Sequence, residues 1–367
     1  MKNTTPSPLR RALKPLAGSI AALLLCATTP VFAGSATWLA APGSGDWNTA
    51  GNWTPGTVPN AGADVATFGL SGTTGLSLSA NTDVNSIVFN AGASVFTITA
   101  SPSRTLTLSG TGISNSSGIT QSFVTAVDGI GNAGRIAFSN SATAGSLTAF
   151  TNNGGTGSGL GSGGGAMTFI QTSSAGSGNF TNKGGTVSGA SGGSVAFSGS
   201  ATAASGTFIN NAAAVSGVFN GGGTSFANFA TAGSGIFTNN GAAASGAAGG
   251  STGFGFFSVA GTGTFTNNGG TASGGGGGGT FISDSALAGS GTFTNNAGTV
   301  SGANGGFTKL QNTSSASGGI FTSNGIAASG ALRGFTSFNN TATASTGTFT
   351  NNGSGIAGGF EIGRAHV

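Results

Sequence analysis

The chain has 367 residues, of which 74 are glycine and only 4% are charged. Its 10 Lys and Arg against 6 Asp and Glu give a formal net charge of +4. The excess lies near the ends, because residues 34–360 contain five basic and five acidic side chains. Basic patches attract nucleic acids and anionic membranes. The neutral body therefore predicts neither nucleic-acid binding nor membrane contact.

Residues 1–33 have the pattern of a secretory signal peptide. Basic residues between Lys2 and Lys14 precede the apolar run 16–27, and Val31-Phe32-Ala33 supplies small residues for cleavage before Gly34. The apolar run is shorter than the ~20 residues that a membrane-spanning helix needs. The sequence therefore predicts export through the bacterial inner membrane, with the mature protein at the cell surface, at the outer membrane or outside the cell.

Residues 34–118 differ in composition from the residues that follow and contain all three tryptophans, Trp38, Trp47 and Trp53. The open end of a stack of repeats must be covered. We interpret this region as an N-terminal cap that buries the tryptophans. The alternative is a sugar-binding surface built on exposed tryptophan rings.

Residues 119–360 contain a repeat of about 28 residues, marked by variants of Gly-Thr-Phe-Thr-Asn-Asn. Its phenylalanines follow one another in steps of 30, 28, 29, 28, 28, 28 and 28: Phe150, Phe180, Phe208, Phe237, Phe265, Phe293, Phe321 and Phe349. A second row of phenylalanines occurs later in most repeats: Phe169, Phe197, Phe226, Phe254, Phe281, Phe307 and Phe335. Thr, Phe, Val and Ile favour strands, whereas Gly and Asn favour turns. The fold class is therefore predicted to be all-β, a right-handed parallel β-helix (β-solenoid) with ~28-residue coils.

Strand alternation assigns a face to each residue of the repeat. Phe265 and Asn267 are predicted to point inward, with the asparagines of successive coils forming a ladder, while Thr266 and Asn268 face solvent. Lys183 occupies the position of Asn268 in another repeat, which favours that phase. Glycine runs such as 274–279 are interpreted as flexible bulges.

The opening Asp46-Trp47-Asn48, together with Val84-Asn85-Ser86-Ile87-Val88-Phe89 and Arg104-Thr105-Leu106-Thr107-Leu108, resembles the start of autotransporter-associated β-strand repeat proteins. The resemblance covers most of residues 36–360, but it rests on the general character of the sequence rather than on any invariant motif. It implies a passenger β-helix carried by a C-terminal outer-membrane β-barrel. Residues 361–367 break with the preceding composition and are similar to the translation of a sequencing-library adapter. We expect this tail to be non-native and the barrel to be missing from this sequence.

Catalytic patterns are not found in the body. The only Cys and the only His, Cys26 and His366, lie in the two ends, so residues 34–360 lack the thiol and imidazole ligands of zinc and the base of a catalytic triad. The elbow-like segment 189–193 and the glycine run 157–165 match motifs by composition alone. The sequence thus predicts no enzyme activity, with no catalytic, cofactor-binding or metal residues and no cofactor.

The function predicted is that of an exported structural or adhesin-like passenger that binds an unknown surface ligand, such as a host or matrix glycan or protein. The alternative is the stalk of an enzyme-bearing autotransporter whose catalytic domain and barrel lie in a missing C-terminal part. Binding of ice or crystals by outward threonine rows is a third, weaker alternative.

Overall fold

The structure is a computed structural model that describes residues 1–2, 34–158, 162–217, 220–326 and 328–354. Within those residues the chain is all-β apart from one 3-10 turn, Ala50–Asn52. The predicted signal peptide, beyond its first two residues, and the predicted tail 361–367 lie outside the described residues. No helix in the described part of the chain combines the length and apolarity required to cross a membrane.

From β3 onward, successive strands alternate between two sheets of parallel strands, so each coil of chain contributes one strand to each sheet. The first sheet, thirteen-stranded over the described residues, consists of β1 Ala36–Trp38, β2 Trp53–Thr54, β3 Val65–Phe68, β5 Thr82–Phe89, β7 Thr105–Asn115, β9 Arg135–Phe138, β11 Ala166–Phe169, β13 Ser194–Phe197, β15 Gly223–Phe226, β17 Ser251–Phe254, β19 Gly279–Ile282, β21 Phe307–Leu310 and β23 Phe335–Phe338. The second, eleven-stranded over the same residues, consists of β4 Gly75–Ser77, β6 Thr97–Ala100, β8 Gln121–Thr125, β10 Thr148–Asn152, β12 Asn179–Asn182, β14 Thr207–Asn210, β16 Ile236–Asn239, β18 Thr264–Asn267, β20 Thr292–Asn295, β22 Ile320–Ser323 and β24 Thr348–Asn351. The predicted β-solenoid is therefore confirmed.

The repeat phenylalanines pair with one another from coil to coil, as Phe237 does with Phe265 and Phe265 with Phe293. A third, narrow face carries a row of single parallel bridges between coils, for example Val259 with Leu287 and Leu287 with Ser315. Each regular coil therefore has three sides, and the 28-residue spacing is the length of one circuit of the chain.

Phenylalanine columns fill the interior. In the second sheet the rings from Phe123 to Phe349 stack at centroid distances of 4.6–5.0 Å. The first sheet contributes a column from Phe138 to Phe254 at 4.6–4.7 Å. The two columns meet edge to face, as at Phe254 and Phe265, 5.5 Å apart. Offset and edge-on contacts suit the ring quadrupole, so both rows gain packing beyond simple burial.

The N-terminal region is continuous with the stack, because β1 pairs in parallel with β3 and β3 with β5. Its outermost strand, β2, instead pairs antiparallel with β1. Trp38, Trp47 and Trp53 are at most 2% exposed. Their indole N–H groups donate to backbone carbonyls of Thr73, Pro59 and Trp47, respectively. The tryptophans are buried, as the cap interpretation predicts, and the alternative of an exposed tryptophan surface is wrong.

The glycine run 274–279 is hydrogen-bonded into the coil, so its interpretation as a flexible bulge is wrong. Gly274 N–H donates to Gly302 O and Gly276 N–H to Ala247 O, which joins this segment to the coils on both sides. A Cβ on Gly277 would overlap the carbonyl oxygen of Gly305. Glycine is needed here because the backbones of adjacent coils approach more closely than a side chain permits.

Candidate binding groove

The outward face of the first sheet changes character along the stack. The first and third residues of each four-residue strand point outward, and in β13, β15 and β17 all six are small: Ser194, Ala196, Gly223, Ser225, Ser251 and Gly253. In β19, β21 and β23 these positions include Phe281, Phe307, Lys309 and Phe335, all half-buried. Large side chains are therefore concentrated on three successive coils.

The three phenylalanines form one connected group. The rings of Phe281 and Phe307 meet edge to face at 5.2 Å, and those of Phe307 and Phe335 stack at 5.7 Å. Lys309 Nζ lies 4.6 Å from the centroid of Phe307 and 5.9 Å from that of Phe335. An ammonium held over aromatic faces is attracted by the ring quadrupole. The cation is thereby positioned on the aromatic group.

A groove of about 990 Å³ runs beside this group. Its lining includes the glycine column Gly221, Gly249, Gly277 and Gly305, and Leu332 and Arg333 lie at the end of the column. Leu332 is 52% exposed, and Arg333 is also exposed. This volume falls at the upper end of the range of small-molecule pockets, so the groove can hold a ligand larger than a single small ring.

The groove is electrostatically one-sided. Lys309 and Arg333 line it, whereas none of its described lining residues is Asp or Glu. Asp284, on the turn after β19, is engaged elsewhere: its carboxylate accepts hydrogen bonds from Phe256 N–H at 3.1 Å and from Asn312 Nδ2 at 3.1 Å. Residues 34–360 have no net charge, so the groove is a local concentration of positive charge.

A second group of aromatic side chains occupies the turns after β15 and β17. Phe229, Phe256 and Phe257 are 68%, 55% and 58% exposed. The rings of Phe229 and Phe257 stack at 5.7 Å. Phe256 has a φ of +57°, where the matching positions of other coils have Asn228, Asp284 or Asn312. A bulky residue is strained in this left-handed conformation, so the fold tolerates phenylalanine here at some cost.

Sequence reasoning missed the groove residues because it treated the second row of phenylalanines as one series. Its steps are 28, 29, 28, 27, 26 and 28. The irregular steps of 27 and 26 were the signal, because a change of strand position alters the face on which a side chain lies. The inward column continues through Ile282, Leu310 and Phe338, which leaves Phe281, Phe307 and Phe335 outside.

Two carboxyl groups outside the groove have shifted pKa values. Burial raises the pKa of Asp46, but hydrogen bonds from Thr49, Ser79 and Asn48 outweigh it and leave that pKa below its usual value. The Asn132 side chain is the main cause of the lowered pKa of Asp128. The shift at Asp128 comes from hydrogen bonds within one turn, whereas the shift at Asp46 also involves Ser79, which is distant in sequence. Within the described ranges, no group of three or more His, Cys, Asp or Glu side chains is arranged to hold a metal ion.

Comparison with protein-family models, curated proteins and solved structures finds no match to this chain.

Proposed function

We propose that this chain is an exported, non-catalytic bacterial surface protein of the adhesin-like passenger type, in which the solenoid holds a ligand-binding groove. The observation that carries the proposal is the contrast on one sheet face between the small outward residues of β13, β15 and β17 and Phe307, Lys309 and Phe335 further along. Aromatic side chains and arginine are enriched where proteins bind partners.

The interior supports a scaffold role. Phe265 and Asn267 are fully buried, and the asparagine amides of neighbouring coils bond to one another. The stack is held by repeated contacts between each coil and the next, which makes stability a sum of local terms. Such a scaffold keeps outward side chains at fixed positions, and a preorganised surface binds with less loss of conformational entropy.

Expression of the full chain in a Gram-negative host, with and without residues 2–33, tests this proposal. We expect the full chain to be cleaved by protease once the outer membrane is permeabilised, and the protein released from the periplasm to bind a matrix-coated surface. The shortened chain should stay protected inside the cell. A full chain that remains in the cytoplasm, or is exported without binding the matrix, would contradict the proposal.

A further inference from the structure

We propose that the groove binds an acidic polysaccharide, with uronate carboxylates on Lys309 and Arg333 and sugar rings on the phenylalanines. This assignment names the ligand class and rests on the proposed function. It follows from the shape of the groove, its aromatic surface and its charge.

The shape favours a chain-like ligand. The groove is lined from Gly221 to Arg333 by corresponding positions of five successive coils. Neighbouring strands are spaced about 4.8 Å apart, so these coils span roughly 19 Å along the stack. A single sugar would occupy a fraction of that length, whereas a short run of linked sugars lying along the stack would contact every coil.

The aromatic surface suits the apolar faces of sugars. Phe281, Phe307 and Phe335 lie on three successive coils and are in contact with one another. An aromatic ring has a negative face that attracts weakly positive C–H groups. The axial C–H groups of pyranose rings can pack against this surface, while the sugar hydroxyls remain available to solvent and to Asn304, an exposed residue of the groove lining.

The charge selects acidic sugars over neutral ones. Lys309 is placed by its contacts with Phe307 and Phe335, and Arg333, an exposed residue of the groove lining, adds a second positive charge. Two cations are few for a nucleic acid, whose affinity depends on neutralising many phosphates. A uronate polymer carries carboxylates at intervals and sugar faces between them, which matches cations set among aromatic rings.

Isothermal titration calorimetry of the full chain with polygalacturonate tests the proposal, and methyl-esterified polygalacturonate provides the same backbone without the charge. We expect binding of the acidic polymer and at least about tenfold weaker binding of the ester, because charge-assisted hydrogen bonds are lost. The double variant Lys309→Gln, Arg333→Gln should weaken binding of the acidic polymer by about tenfold or more. Phe335→Leu, which keeps an apolar side chain but removes the ring, should weaken binding of both polymers.

Lys183→Gln is the matched control, because it removes one exposed cation from a coil outside the groove. It should leave the affinity unchanged. The assignment is overturned if polygalacturonate does not bind, if Lys183→Gln has the effect of the groove variants, or if inorganic polyphosphate binds as tightly as the uronate polymer. Export and matrix binding without uronate binding would reject the ligand assignment while leaving the proposed function intact.

Discussion

At the scale of single residues, the inner asparagines owe their burial to complete hydrogen bonding. Asn267 Nδ2 donates to Asn295 Oδ1 at 2.8 Å and to Thr308 Oγ1 at 3.2 Å. Its Oδ1 accepts from Asn239 Nδ2 at 2.8 Å and from Thr280 Oγ1 at 3.0 Å. A buried polar group is costly unless it is paired. The predicted inward asparagine ladder is confirmed, and the threonines of the first sheet, which the sequence analysis did not connect to it, complete it.

The outward neighbours of Asn267, Thr266 and Asn268, differ from their prediction. Thr266 and Asn268 point away from the core but are half-buried rather than exposed. Asn268 belongs to a second ladder, since its Nδ2 donates to Asn240 Oδ1 at 3.0 Å and its Oδ1 accepts from Asn296 Nδ2 at 2.9 Å. The donors of this outer ladder point toward earlier coils, whereas those of the inner ladder point toward later coils. The prediction of a solvent-facing position rested on Lys183. Lys183 lies one coil before Asn211, the first asparagine of the outer ladder, and is therefore not part of that ladder.

The two ladders predict a graded response to substitution. Asn267→Leu removes the partner of four polar groups in the core, so it should lower the free energy of unfolding by about 1–3 kcal/mol. Asn268→Lys breaks two hydrogen bonds at a half-exposed site, so its cost should be smaller, about 1 kcal/mol, rather than near zero as Lys183 alone suggests. Chemical denaturation of both variants gives the comparison. Equal costs would mean that burial of the inner ladder adds nothing.

At the scale of the element, the spacing between coils depends on the positions at which the backbone of one coil contacts the backbone of the next. Gly249, Gly277 and Gly305 occupy corresponding positions, and a Cβ on each would overlap the backbone of the following coil. Gly253, in strand β17, differs in that nothing lies within 4 Å of an added Cβ. The glycines therefore differ in their structural setting. In the column they permit close contact between the backbones of adjacent coils, whereas Gly253 lies on the sheet face beside open space.

This difference predicts opposite results for one substitution. Gly277→Ala forces adjacent backbones apart and should cost about 1–3 kcal/mol, as overpacking does. Gly253→Ala should be neutral or stabilising by up to about 1 kcal/mol, because alanine reduces the conformational entropy of the unfolded chain. Thermal unfolding of the two variants measures both effects. A destabilised Gly253→Ala together with an unchanged Gly277→Ala would show that the glycine column does not determine coil spacing.

The sequence predicts elements where the repeat is regular and fails where it changes. The 28-residue spacing of residues such as Phe237 and Phe265 was enough to place strands, faces and the inner ladder. The N-terminal coils are shorter, for example Phe68 pairs with Phe89 only 21 residues later, and no constant period marks them. The groove depends on Phe281, Phe307 and Phe335 lying outside the inward column, which requires knowing that Ile282 and Leu310 have replaced phenylalanine inside.

At the scale of the whole molecule, every regular coil makes its main contacts with the coils before and after it. Phe265 stacks on Phe237 at 4.8 Å and on Phe293 at 4.7 Å. Contacts of this kind make a stack approximately one-dimensional, so that damage to one coil is felt mainly by its two neighbours. A compact globular core would instead distribute the loss through the whole domain.

Phe265→Ala tests this organisation. Removing a fully buried ring from the stacked column should cost about 3–5 kcal/mol, and amide hydrogen exchange should accelerate most in β18 and in the paired strands β16 and β20. Strands β8 and β10, several coils away, should keep their protection. Phe257→Ala is the matched control, because the same truncation of a ring that is 58% exposed should leave exchange in the core unchanged. Uniform acceleration from β8 to β24 would show that the solenoid unfolds as a single cooperative unit, and the nearest-neighbour description of its stability would then be wrong.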